Sequence, residues 1–148
     1  MVNVKGVQMS PFSRFMRRGP ISPRLHGALD YPLAAVLVAG PLVLDFDSAT
    51  AKAFVLVLGG TATVLALGTA WSRGIVRVVP PLWHGVADVG ATIALIVAPF
   101  VLNYSDDVAA LWFSIVVGAG GLGATLLTRF ESDHLEPSVQ VGLAEPVR

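Results

Sequence analysis

The sequence predicts an all-α membrane protein: four transmembrane helices made by tandem duplication of a two-helix hairpin, in a parallel pseudo-two-fold repeat. Three observations predict it. The 148-residue chain is 54% hydrophobic and 14% charged, where a soluble domain carries about 25% charged residues. Its apolar residues are gathered in four stretches, roughly 24–44, 52–72, 82–102 and 108–128. The chain also aligns on itself when shifted by 58 residues. Mean hydropathy is +0.71.

Residues 1–21 form a basic N-terminal tail, with Lys5, Arg14, Arg17 and Arg18. They lack a continuous apolar core, which argues against a cleavable signal peptide and leaves helix 1 as an uncleaved anchor. Phe12, Phe15 and Met16 among the arginines also suit a segment lying on anionic headgroups. A plain topology signal accounts for the same residues.

The first two-span repeat covers 22–73 and the second 80–131. Each apolar stretch has about 20 residues, enough for a helix to cross a hydrocarbon core of about 30 Å. In lipid the backbone must satisfy its own hydrogen bonds, so these stretches are helices. They are apolar all round, which argues against a soluble helical bundle. Pro23 and Pro81 suit the first turn, where a missing N–H costs nothing. Pro41 and Pro99 lie about four turns later and can bend or end the span, and Pro32 weakens helix 1 beside Asp30. Arg24, Arg73, Arg77 and Arg129 fall on the side of the N-terminal tail. Asp45, Asp47, Asp106 and Asp107 fall on the other. The excess of Lys and Arg places both termini, including the tail 132–148, in the cytoplasm. Trp71, Trp83 and Trp112 near span ends are expected interfacial anchors.

The repeat carries the best functional lead. His26-Gly-Ala-Leu-Asp30 returns as His84-Gly-Val-Ala-Asp88, each at the start of a span. The register continues through Leu37/Leu95, Pro41/Pro99, Asp45/Asn103 and Phe46/Tyr104, and more loosely through Ala51/Ala109, Gly60/Gly118 and Ala66/Ala124. Pro, His, Gly and Asp do not fall into register by chance as apolar residues do. Two-span units enter from the same side, so helices 1 and 3 run in the same direction and their His and Asp share a depth. His and Asp four apart lie on one helix face, and ionisable residues inside spans normally face the protein interior.

Four readings of His26, Asp30, His84 and Asp88 follow. A polar clamp fixes helix 1 against helix 3, a structural or interaction role with no enzyme activity, and needs the fewest assumptions. The same residues also suit a proton or solute relay. They suit a divalent metal held by two His and two Asp. A bis-His haem or quinone pocket is the fourth. No catalytic residue and no cofactor is expected on the clamp reading; metal and haem stay open. The lipid bilayer is the expected partner, with self-association or a membrane protein partner beside it. No nucleic-acid binding is expected.

Other signals are discounted. Cysteine is absent, which removes disulfides and thiolate metal sites. Gly118-Ala-Gly-Gly-Leu-Gly123 matches GxGxxG but lies inside a span, without the strand a dinucleotide fold needs. Gly118 and Gly121 are better read as helix-packing positions, with Gly59, Gly60 and Thr63 offering a matching surface on helix 2. His134 lies in the acidic tail and is read as solvated.

The His-Gly-x-x-Asp start, the small residue and Pro near the helix end, the two aliphatics, the turn and the aromatic resemble the SPW-repeat family of small bacterial membrane proteins. The Ser-Pro-Trp signature falls at Gly40-Pro41-Leu42 and Ala98-Pro99-Phe100, where the Pro is kept. The resemblance covers about 22–130. It implies a bacterial inner-membrane protein built of two-span units and implies no particular activity.

Overall fold

The computed structural model describes residues 19–70 and 74–129. Trp71, Arg73, His134 and the basic cluster of the N-terminal tail lie outside the described residues. Four helices follow one another: α1 Pro23–Val43, α2 Ala49–Gly68, α3 Pro81–Val101 and α4 Val108–Leu126. All four are long and apolar enough to cross a membrane. No extended strand occurs among the described residues, only two isolated β-bridges.

The helix starts follow capping chemistry. Ser22, Ser48 and Asp107 are N-caps whose side chains accept from the backbone N–H three residues on. Pro80 caps α3 without a side-chain bond, and Pro81 occupies the first turn as Pro23 does in α1. Ser48 starts α2 at Ala49, three residues before the apolar run beginning at 52, because a cap and not hydropathy sets the boundary.

Both first helices end alike. Leu44 N–H bonds Gly40 O, and Phe46 N–H reaches Pro41 O at 3.3 Å. In α3, Leu102 N–H bonds Ala98 O and Tyr104 N–H reaches Pro99 O at 2.9 Å. Between these, Asp45 and Asn103 take positive φ of 46° and 54°. The pattern is a Schellman-type stop with Pro41 and Pro99 as the carbonyls that receive the returning chain. Asn and Asp tolerate that left-handed position better than most residues. The returning rings are buried, Phe46 edge-on to Phe113 at 5.4 Å between ring centres.

These two turns anchor the apolar core, made by Leu37, Val55, Leu95, Ala110 and Phe113 around Phe46 and Tyr104. α1 packs closely on α2 and α3 on α4, and the two hairpins meet more sparsely, through α1–α4 and α2–α3. Large apolar side chains are left exposed along all four helices, among them Val43, Val57, Val64, Trp83, Val108 and Trp112. A soluble monomer rarely shows that much apolar surface. In lipid, burial of such groups drives little, so close packing and polar contacts hold the helices together.

Glycines mark that packing, with one departure from expectation. A Cβ on Gly59 would press on Val38 and Leu37 of α1, and one on Gly118 on Ile96 and Thr92 of α3. One on Gly121 would meet Thr92 at 2.8 Å. Gly60 meets nothing within 4 Å. So Gly59 and Gly118 serve contacts within their own hairpins, not a shared α2–α4 surface. Gly60 lies on the outer face because it is one position, about 100° of helix rotation, past Gly59.

Opposite the core, the ends of the second helices clip onto the starts of the first. Ile21 N–H bonds Leu127 O and Arg129 N–H bonds Ile21 O, both at 3.1 Å. Ala70 N–H bonds Val79 O at 2.8 Å, and Val79 N–H bonds Gly68 O at 3.0 Å. α2 is thereby joined to α3, and α4 to α1, beside the first turns that carry the histidines.

Candidate functional site

Each histidine is the fourth residue of its helix, and its N–H reaches back to the cap carbonyl. His26 N–H bonds Ser22 O at 2.9 Å, and His84 N–H bonds Pro80 O at 3.2 Å. That fixes the side chain in the first turn, with Asp30 or Asp88 one turn on along the same face. Gly27 and Gly85 beside them are buried. His26, His84 and Asp30 are buried at 3%, 1% and 8% exposure, while the Asp88 side chain keeps 22%.

The four side chains converge. His26 Nε2 lies 3.0 Å from Asp88 Oδ2 and 3.5 Å from Asp30 Oδ1. His84 Nε2 lies 3.2 Å from Asp88 Oδ2 and 3.3 Å from Asp30 Oδ2. Each histidine therefore meets both its own carboxylate and the other helix's. The imidazole rings stand nearly perpendicular, at 84° with centres 6.0 Å apart.

Two residues absent from the sequence-derived site complete it. Thr69 Oγ1 lies 2.7 Å from His84 Nδ1, and Thr128 Oγ1 lies 2.9 Å from His26 Nδ1. Both hydroxyls are also bonded to carbonyls one turn back, Leu65 O at 2.6 Å and Ala124 O at 2.7 Å. A carbonyl cannot donate, so each threonine proton goes to its carbonyl. The remaining contact then has the imidazole Nδ1–H donating to the threonine oxygen. The donor inventory thus places a proton on Nδ1 of both rings and turns both Nε2 atoms toward the carboxylates.

Beyond the cluster lies a cavity of about 360 Å³. His26, Asp30 and Asp88 form its polar end, and Leu33, Leu37, Leu95 and Val117 are among its walls. Pro32 also lines it, whereas Pro41 and Pro99 are buried at the far end of their helices. Thr92, one turn beyond Asp88, bonds Asp88 O at 2.8 Å and contributes to the same wall.

A model of the SPW repeat domain matches residues 24–128. The chain belongs to the SPW-repeat family. The match takes in all four helices from the first turn of α1 onward, both His-Asp pairs and both threonines. No curated protein and no solved structure matches the chain. Family membership and the four apolar helices make it a multi-pass membrane protein. In this SPW-repeat protein the signature prolines, Pro41 and Pro99, supply the carbonyls that close the two helix stops. Gly40, in place of the signature serine, leaves room for the Phe113 ring. The signature thus shapes the apolar end, and the His-Asp cluster lies at the other.

Proposed function

We propose that this protein is a non-enzymatic inner-membrane protein, both termini cytoplasmic, in which the His-Asp-Thr network locks two duplicated hairpins into a four-helix bundle. Its role on this reading is structural or in association with a membrane partner. One observation carries it. The network draws on all four chain segments: His26 and Asp30 from α1, Thr69 from the end of α2, His84 and Asp88 from α3, and Thr128 from the end of α4. It joins hairpins that otherwise touch sparsely.

The duplication is supported by paired positions. α1 and α3 begin and end 58 residues apart, at 23 and 81 and at 43 and 101. α2 and α4 begin 59 residues apart, at 49 and 108. At that spacing Ala51 matches Ala110, Gly59 matches Gly118 and Thr69 matches Thr128, all buried. The second turn has one extra residue, which moves the register of the second helices from 58 to 59.

The test replaces His26 and His84 by Gln, singly and together, and follows thermal unfolding in detergent. Interhelical polar contacts average about 0.6 kcal/mol with a maximum near 1.7. A network predicts that the two losses are not additive. Additive losses, or none, would remove the locking role. Orientation is tested separately by reporters fused after Asp47 and after Asp107; cytoplasmic activity at both would refute it.

A further inference from the structure

We propose that His26, Asp30, His84 and Asp88 bind one divalent cation of the zinc class in a tetrahedral set of two imidazole nitrogens and two carboxylate oxygens. The proposal rests on the polar-junction reading, since the same side chains form that junction, and adds the ion at its centre.

The hydrogen-bond inventory is the first argument. With Nδ1–H given to Thr69 and Thr128, each Nε2 directs its lone pair at carboxylate oxygens. Two lone pairs facing two carboxylates repel unless positive charge lies among them, supplied either by a proton on each Nε2 or by one cation shared among the four side chains. The opposite tautomer, with Nε2–H, leaves no proton for the threonine–carbonyl contacts of 2.6 and 2.7 Å. An imidazole whose second nitrogen donates to a neighbouring oxygen is the usual arrangement around a bound metal. The outer partner sets the tautomer and aims the ligand.

Distances are the second argument. One ligand atom from each residue can be chosen so that all four lie within 4.8 Å of one another. The His–Asp separations are 3.0 and 3.2 Å to the shared Asp88 Oδ2, 3.5 Å from His26 to Asp30 Oδ1 and 3.3 Å from His84 to Asp30 Oδ2, so a single Asp30 oxygen would turn toward the ion on binding. Tetrahedral bonds of about 2.0–2.1 Å place ligand atoms about 3.3 Å apart. Two of the four separations exceed the N–H···O range of about 2.7–3.2 Å, so protons alone fit them less well. Haem does not fit: the carboxylate oxygens stand beside both Nε2 atoms, where the macrocycle would have to lie.

Charge is the third. Two carboxylates with two neutral imidazoles carry two negative charges in a low-dielectric setting, where uncompensated charge is costly. One divalent cation brings the set to neutrality, as a proton on each Nε2 would, and the ion does so while also binding all four side chains at one centre. Imidazole and carboxylate donors in tetrahedral array suit Zn²⁺ and Co²⁺ over Ca²⁺ or Mg²⁺, which take six or more oxygens. The cavity adjoins the cluster at His26, Asp30 and Asp88, of which Asp88 is the most exposed.

The test uses the full chain purified in detergent, stripped with chelator and titrated with Co²⁺. The expected result is one Co²⁺ per chain with the visible absorption of a tetrahedral site, bleached by one equivalent of Zn²⁺. H134Q leaves the band unchanged, whereas D88N and H84Q abolish it. T69V and T128V keep all four ligands and weaken binding about 10- to 100-fold. If D88N or H84Q does not fold, the threonine variants still decide. Absence of a tetrahedral band in the parent protein, or equal affinity in T69V, T128V and the parent, overturns the metal site. A protein that takes up no Co²⁺ yet shows non-additive loss in H26Q/H84Q keeps the junction and loses the ion. Stoichiometric Co²⁺ with additive stability losses keeps the ion and loses the junction.

Discussion

Thr128 holds Nδ1 of His26 at 2.9 Å across 102 residues of chain. Its hydroxyl is at the same time committed to Ala124 O. The contact closes the last helix onto the first, and Thr69 makes the matching contact with His84 at 2.7 Å. T128V keeps the shape and removes the acceptor, so a buried imidazole N–H loses its partner. The expected loss is about 1–3 kcal/mol, read as a lower melting temperature in detergent. T128S, which restores the oxygen, should recover most of it.

Asp88 holds a different place from Asp30. One oxygen, Oδ2, serves both histidines, at 3.0 and 3.2 Å, while Asp30 offers a separate oxygen to each. D88N should therefore couple to H26Q and to H84Q alike in double-mutant cycles. Contacting residues commonly show about 0.5–3 kcal/mol of interaction energy. Coupling to one histidine alone would contradict the shared oxygen.

The glycines allow a sharp contrast. A Cβ on Gly118 would sit 2.7 Å from Ile96 and 3.1 Å from the Thr92 carbonyl, whose backbone cannot easily yield. G118A should cost about 1–3 kcal/mol, the range for overpacking. G60A meets open space and should change stability by less than about 1 kcal/mol, with helix propensity favouring alanine. Thermal unfolding of the two variants side by side is the measurement.

Asp107 gives a pH dependence outside the spans. Burial favours its neutral form, but backbone N–H groups of Ser48, Ala110, Asp47 and Ala109 outweigh that and hold the carboxyl below its ordinary range. Ser48 N–H is at 2.9 Å and Ala110 N–H at 3.0 Å. A carboxyl lowered in the folded state stabilises fully above its unfolded value, about pH 4. That contribution is lost as pH falls through the folded value beneath it. Melts between about pH 6 and pH 3 should show the parent losing stability at the acid end more steeply than D107N. Parallel curves would remove the carboxylate from the account.

The four helices are legible in the sequence because each is a run of about 20 apolar residues. Their ends are less so, since Ser48 and Thr69 act through hydrogen bonds that hydropathy does not register. The His-Asp pairs stand out because ionisable residues are rare in such runs. Thr69 and Thr128 do not, because a threonine at the end of an apolar helix ordinarily bonds its own backbone, as both do here. Their second bond, to a histidine 15 or 102 residues away, is tertiary. One signal was available: both close an apolar run, 59 residues apart. A gap-free register of 58 hides it, because the one-residue insertion lies in the turn between α3 and α4.

The clips at Ile21–Thr128 and Thr69–Val79 have a consequence for connectivity. Each joins the exit of one hairpin to the entrance of the other, so the described chain runs in a closed circuit. The 70–79 connection and the place where residues 21 and 128 lie side by side bring the same two kinds of helix end together. A circular permutant opened near Gly74, with a linker joining residue 129 to residue 19, would present the second hairpin first. It would keep the helix contacts, the two clips and the site. If the permutant folds, the hairpins can be supplied in either order.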